Sequence, residues 1–260
     1  MVVNLFFFLF YYSESSNSFT IYEYIKAELA PITNNQGIEM KLVLAIPHSV
    51  RELNEDLWVG SVGIDADRWT DWFTDRVCST NIDSVVSVIG DVSRYDCDLE
   101  RLLNDPMEAQ GQGILYTRTH FAHRELTEAQ ITYFMSKWTA YRENLVQELT
   151  EGSLLIDCHS FPSDLSDVDI CIGYNGDVSQ PSADMIDLIK NHFEILGYKV
   201  GVNDPYSNSI TPKTEVGYKS VMIELNKRIY MDEKTLQESE FSYKVHNALN
   251  SLYLKLIEFA

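Results

Sequence analysis

From Met40 onward the chain alternates short apolar runs with stretches of helical periodicity, and this alternation restricts it to a layered α/β architecture. The strand candidates are Lys41–Ile46, Ser84–Ile89, Ser153–Cys158, Asp169–Gly173, Tyr198–Val202 and Ser220–Leu225, all rich in Val, Ile and Leu. Because they are continuously apolar and not alternating, they read as strands covered on both faces. Thr127-x-x-Gln130 reads as a capping box opening a helix whose apolar stripe is Ile131, Phe134, Trp138, Tyr141, Leu145 and Leu149. A second helix is expected over about Ser182–Leu196, stopped by Gly197, and a last one carries Phe241, Val245, Leu249, Leu252 and Leu256 on one face. Asp67–Val77 reads as a shorter amphipathic helix bearing Trp69, Trp72, Phe73 and Val77. No internal repeat is visible.

A chain of 260 residues, 45% hydrophobic, supports one sizeable core, so residues 40–260 are expected to form a single domain. Residues 1–39 are set apart by an aromatic run, Leu5–Tyr12, that lacks a basic flank and a small-residue cleavage site and is too short to span a bilayer. They are either an extension ahead of a start at Met40 or an N-terminal strand and helix packed on the core. Lys and Arg total 20 against 39 Asp and Glu, a formal net charge of -19, which argues against nucleic acid as a partner. An anionic substrate would need a local arginine pocket to overcome that field. Cys78, Cys97, Cys158 and Cys171 form no C-x-x-C pair or dense framework, which points to a reduced, cytoplasmic setting. No membrane partner is expected, and the oligomeric state is left open.

Two histidines occupy equivalent places. His48 follows the first strand after Pro47, and His159 follows Ser153–Cys158. In open α/β sheets ligands bind in the crevice beyond the strand C-termini. Two imidazoles delivered there suit a shared Zn²⁺, whose catalytic sites take three protein ligands and leave one position to water. The third ligand is expected to be a nearby carboxylate. Glu224 stands within the apolar run Val221–Leu225, where an unpaired carboxylate is costly to bury, so it needs either a partner such as Arg228 or Lys227 or a function. Burial raises a carboxyl pKa towards neutrality, which suits a general base. Arg94 and Arg101, on one loop after Ser84–Ile89, have the forked donors that clamp a carboxylate, or else pair with Asp96 or Asp98.

The segments Ala45-Ile-Pro-His-Ser49, Ser93–Arg101, Leu155-Ile-Asp-Cys-His-Ser-Phe161, Asn203-Asp-Pro-Tyr206 and Ile223–Glu233 occur in an order that resembles the N-formylglutamate amidohydrolase family. The resemblance runs over roughly residues 41 to 250, and its most specific parts are Cys-His-Ser and Glu-Leu-Asn-Lys-Arg-Ile-Tyr-Met-Asp-Glu. It implies a zinc-carboxypeptidase-like fold, a central mixed and mostly parallel sheet flanked by helices, with a His, carboxylate, His zinc site. His48 and His159 match the family histidines. Asp67-Arg-Trp-Thr-Asp71 resembles the family's acidic-x-x-x-Asp element, which makes Asp67 the implied carboxylate ligand, with Asp65 and Glu52 as alternatives and a helix-capping role for Asp67 equally open. Glu224 resembles the catalytic glutamate, and Asp98-Leu-Glu-Arg101 resembles the family's Asp-x-Asn-Arg, whose arginine binds the substrate carboxylate; Arg94 is expected beside it as a second anchor that also stabilises the developing oxyanion. Glu100 stands where the family usually has Asn, and Val50 where it commonly has Gly. Both departures bear on which acyl amino acid is accepted.

Asn203 and Tyr206 fall on a loop that in the family covers the site, and so are implied substrate contacts, although a plain turn explains them as well. His120 and His123 read as surface residues. Cys158 is disfavoured as a nucleophile paired with His159, because neighbours on a strand face opposite ways. The expected activity is zinc-dependent hydrolysis of the N-acyl amide of a small anionic amino acid, N-formylglutamate foremost. The rivals are a related zinc hydrolase acting on another N-acyl amino acid or carboxylate-bearing peptide, and a non-catalytic binding protein on the same fold.

Overall fold

The computed structural model describes residues 40–259, and the expectations for residues 1–39 lie outside them. In chain order the elements are β1 (Leu42–Ile46), β2 (Val59–Gly60), α1 (Val62–Trp69), α2 (Thr74–Val77), β3 (Val85–Ile89), β4 (Ala122–His123) and α3 (Glu128–Glu148). They continue as β5 (Leu154–Phe161), β6 (Ile170–Gly173), α4 (Ala183–Ile195), β7 (Val200–Val202), β8 (Lys219–Asn226), β9 (Met231–Asp232), β10 (Gln237–Glu238) and α5 (Ser242–Ile257).

β3, β1, β5, β8, β6 and β7 form a six-stranded sheet in that order. The first four run parallel; β6 pairs antiparallel with β8 and carries β7 beside it in parallel. The sheet is therefore mixed and mostly parallel, with helices on both faces. β1 shows why its run is apolar throughout: Leu42, Leu44 and Ile46 face one cluster with α4 and α5, while Val43 and Ala45 face another with α3. Every β1 residue is fully buried, and at about 1.5–3 kcal/mol for each large side chain a one-residue slip would sacrifice the packing of both faces.

Helix α3 begins at the expected capping box, with Thr127 accepting from the Gln130 amide and the Gln130 side chain accepting from the Thr127 amide. α4 is capped by Ser182, and Gly197 follows it with positive φ. The Asp67–Val77 helix is not continuous. α1 starts earlier, at Val62, and ends at Trp69; Thr70 is extended and Phe73 is left-handed at φ 64° before α2 resumes. The Asp71 amide in the break donates to the His48 carbonyl at 3.0 Å instead of continuing the helix, and Lys227 donates to the Arg68 carbonyl at the C-terminal end of α1. Strand β5 likewise runs past Cys158, carrying His159 inside the ladder opposite Glu224.

Candidate metal and substrate site

A cleft of about 350 Å³ opens beside the ends of β1, β5 and β8, lined by His159 and Glu224 from the sheet and by Asp71, Arg94, Glu100, Arg101, Tyr116 and Tyr206 around them. His48 lies just behind it, fully buried, with its ring centroid 5.2 Å from that of His159. The loop after β3 approaches closely enough to build this floor because Gly90 has no side chain: an added Cβ would collide with the Pro47 carbonyl.

Each histidine is oriented by a buried carboxylate. Nε2–H of His48 donates to Asp98 Oδ1 at 2.8 Å, and Nε2–H of His159 donates to Asp157 Oδ1 at 2.9 Å. This leaves both Nδ1 atoms turned towards Asp71, whose Oδ2 lies 3.1 Å from His159 Nδ1 and 3.6 Å from His48 Nδ1. Ser160 Oγ donates to the other Asp71 oxygen at 3.1 Å. Burial would raise the Asp71 pKa, but the hydrogen bond from His159 and the nearby charges of His159 and His48 prevail and hold it well below the usual carboxylate range. His159 is displaced upward: burial opposes its charge, and Asp157 and Glu100 more than compensate.

Glu100 comes from the cleft side, its oxygens 4.0 Å from His48 Nδ1 and 3.7 Å from His159 Nε2. Donor atoms of His48, Glu100 and His159 lie within 4.8 Å of one another, close enough to hold a metal ion. His48 Nδ1 is buried without a hydrogen-bond partner among the described residues. Ligands about 2.0–2.1 Å from a tetrahedral zinc stand roughly 3.3 Å apart. Asp71 Oδ2 stands near that spacing from each Nδ1, at 3.1 and 3.6 Å, so the donor set suits such an ion.

Asp67 is not brought to the histidines. It sits on the outer side of α1, half-exposed, and pairs with Arg51 Nε at 3.1 Å. The helix break instead brings Asp71, four residues on, beside the two histidines. Of the alternatives, Glu52 is exposed, and Asp65 lines the cleft but accepts from the Phe121 amide at 3.2 Å. Neither is among the residues gathered at the histidines.

Glu224 projects from β8 with its Oε2 buried and without a hydrogen-bond partner among the described residues, and burial pushes its pKa up to about 8. The ion pairs considered for it are not made: Arg228 bonds Asp169 at 2.9 Å and Lys227 donates to a backbone carbonyl. Arg94 and Arg101 both line the cleft and share one buried partner, Asp98 Oδ2, at 3.3 and 3.5 Å. Tyr116 donates to the same oxygen at 3.1 Å. Tyr206 lines the cleft and packs edge-on against Phe161, with ring centroids 5.8 Å apart. Asn203 does not reach it; exposed and left-handed at φ 52°, it accepts from the Tyr174 amide as a turn residue. His120 stands exposed at the mouth of the cleft, while His123 is exposed on β4. Cys158 packs in the core on the other face of β5 from His159.

Behind this shell, fully buried Arg124 bonds Asp96 Oδ1 at 3.0 Å, the Asp96 carbonyl at 2.9 Å and the Tyr116 carbonyl at 2.6 Å, with its guanidinium 4.5 Å from the Trp58 ring centroid. It fixes the loop that presents Arg94, Asp98, Glu100 and Arg101.

An α/β sheet whose strand ends gather two histidines, carboxylates and paired arginines in one cleft is the scaffold of an amide-hydrolysing enzyme class, and comparison with known proteins names it. The chain belongs to the N-formylglutamate amidohydrolase family, whose sequence pattern matches residues 40–231. It is similar in fold to an N-formylglutamate amidohydrolase from Ralstonia eutropha JMP134, with a TM-score of 0.72 at 19% identity over 86% of this chain and 95% of that one. It is also similar to a gene product of Agrobacterium tumefaciens, with a TM-score of 0.59 at 16% identity over 84% of this chain and 92% of that one. No curated protein matches the sequence.

Proposed function

We propose that this chain is a zinc-dependent amidohydrolase that cleaves the N-acyl amide of a carboxylate-bearing amino acid, with N-formylglutamate giving formate and glutamate. The observation that carries the reading is the convergence of His48, His159 and Asp71 beside the unpartnered carboxylate of Glu224. His48 and His159 would hold the metal through their Nδ1 atoms, with Asp71 as the carboxylate ligand and Glu100 within reach of both rings. A zinc ion there supplies Lewis acidity that polarises the substrate carbonyl and makes water easier to deprotonate.

The other roles fall to the protein. Asp98 and Asp157 hold the imidazoles in orientation through their Nε2 protons, as carboxylates commonly do behind metal-bound histidines. Glu224 takes the proton of the attacking water and returns it to the leaving nitrogen as the C–N bond breaks, so that the amide and water become a carboxylate and an amine. Arg94 and Arg101 anchor the substrate carboxylate. Tyr206 closes one side of the cleft. The four cysteines are free and buried, which supports a reducing, cytoplasmic setting, and no helix among the described residues is long and apolar enough to cross a membrane.

Formate and glutamate released from N-formylglutamate, quantified before and after chelation and again after zinc is restored, test this reading. We expect equal amounts of the two products, lost with the metal and recovered with it. Turnover that is indifferent to chelation removes the zinc. Absence of turnover on every N-acyl amino acid, with binding retained, favours the binding-protein alternative.

A further inference from the structure

The helix interrupted between α1 and α2 has an apolar spacing that runs on across the gap, and the carbonyls at the C-terminal end of α1 show what stops it. In a continued helix the amides of Asp71, Trp72 and Phe73 would return to the carbonyls of Asp67, Arg68 and Trp69. Side chains take all three instead. The Trp72 indole donates to the Asp67 carbonyl at 2.9 Å, the Lys227 amine to that of Arg68, and the Arg94 guanidinium to that of Trp69 at 3.4 Å. The Asp71 amide is left to bond the His48 carbonyl, and its carboxylate stands 3.1 and 3.6 Å from the two Nδ1 atoms.

These donors are not equivalent. Trp72 belongs to the break itself and moves with it, and Arg94, at the longest distance, lies on the loop that faces substrate. Lys227 comes from the sheet. It follows directly on β8, the strand that carries Glu224 and pairs with β5 from Leu154 to Phe161. Asn226 fixes the turn there: its side chain donates to the Ser166 and Val168 carbonyls at 3.1 and 2.8 Å and accepts from the Arg228 amide at 3.2 Å. Lys227 is only 1% exposed, and an amine is costly to bury at that depth unless it makes a bond. Its N–H groups donate whether or not the amine is charged.

We propose that Lys227 is a positioning residue of the metal site: by holding the Arg68 carbonyl it ends α1 before Asp71 and keeps that carboxylate turned towards His48 and His159. This deepens the function proposed above and rests on it. The same bond ties the Asp71 segment to the strand bearing Glu224, so that the carboxylate ligand and the proton carrier share one frame.

The test uses the full chain carrying Lys227→Met, which keeps an unbranched side chain of similar length and removes its donor. Zinc affinity, read by competition with a chelator, should weaken by about 10- to 100-fold, the range lost when groups that orient metal ligands are removed. In the metal-free protein, hydrogen exchange of the Asp71 amide should quicken relative to the amides of β1, because its bond to His48 opens locally. Leu252→Ala, which opens a cavity in the core at fully buried α5, controls for a general loss of stability: it should lower the melting temperature and leave both readings at the wild-type value. Lys227→Gln, whose nitrogen sits one bond nearer the backbone, serves as a second variant if the first folds poorly.

Zinc affinity and relative exchange that both stay at the wild-type value in the Lys227 variant overturn the positioning role, as does an equal loss of zinc affinity in Leu252→Ala. If the wild type itself takes up no zinc, the proposed metal site fails, and the exchange comparison alone decides whether Lys227 holds the break.

Discussion

Glu224→Gln separates a proton carrier from a structural acid. Gln preserves size and hydrogen-bonding reach but accepts no proton, so kcat should fall by about 10² or more while zinc and substrate still bind. Stability gives an independent reading. In the metal-free protein the Glu224 pKa is raised from 4.5 to about 8 by burial. A carboxyl with a raised folded pKa stabilises the fold fully below its unfolded pKa and loses that contribution as pH rises through the folded value. The wild type should therefore lose stability relative to the variant between about pH 4.5 and pH 8. At about 1.4 kcal/mol per pH unit the displacement sets a ceiling of roughly 5 kcal/mol on that loss. Denaturant melts of chelated wild type and Glu224→Gln across this range, with turnover of the zinc-loaded forms, supply both readings. A variant that keeps wild-type kcat refutes the proton-carrier role. A stability difference between the two proteins that does not change with pH refutes the raised pKa.

Asp67→Asn should leave zinc content and turnover near wild type, because the half-exposed Asp67 side chain pairs with Arg51 away from the histidines, whereas Asp71→Asn should lose both; metal analysis of the pair checks the assignment. Arg124→Met leaves Asp96 buried without its charge partner and should cost about 3–5 kcal/mol of unfolding free energy, read by denaturant titration. A loss well under 1 kcal/mol would mean that the Arg124–Asp96 pair does not hold the loop.

The sheet strands were legible because burial on both faces writes itself as unbroken apolar runs, as in β1. Where function interrupts that code, the reading stopped short. His159 ends the apolar run of β5 although the strand continues to Phe161 opposite Asn226. The break between α1 and α2 left no periodic trace, since Trp69, Trp72, Phe73 and Val77 keep a helix-like spacing across it. Its cause is tertiary, the Asp71 amide bonding the His48 carbonyl, and for that reason the sequence pattern pointed to Asp67, one turn before the carboxylate that reaches the histidines.

Glu224 was visible as an acid in an apolar run, and the structure shows it without the ion pairs that would have made it structural. Asp98 and Asp157 were not singled out as the partners that orient the histidines, because only the fold brings Asp98, fifty positions from His48, to its ring. Strands β2, β4, β9 and β10, of two residues each, are too short to carry any period.

The central claim is that His48 and His159 hold one metal ion together, and zinc stoichiometry tests it most directly. Elemental analysis of wild type, His48→Ala and His159→Ala, each equilibrated with the same free zinc and then desalted, should give one zinc per wild-type chain and almost none in either folded variant, because each substitution removes a ligand from a site that has few. Near-stoichiometric zinc in either variant would contradict the shared site.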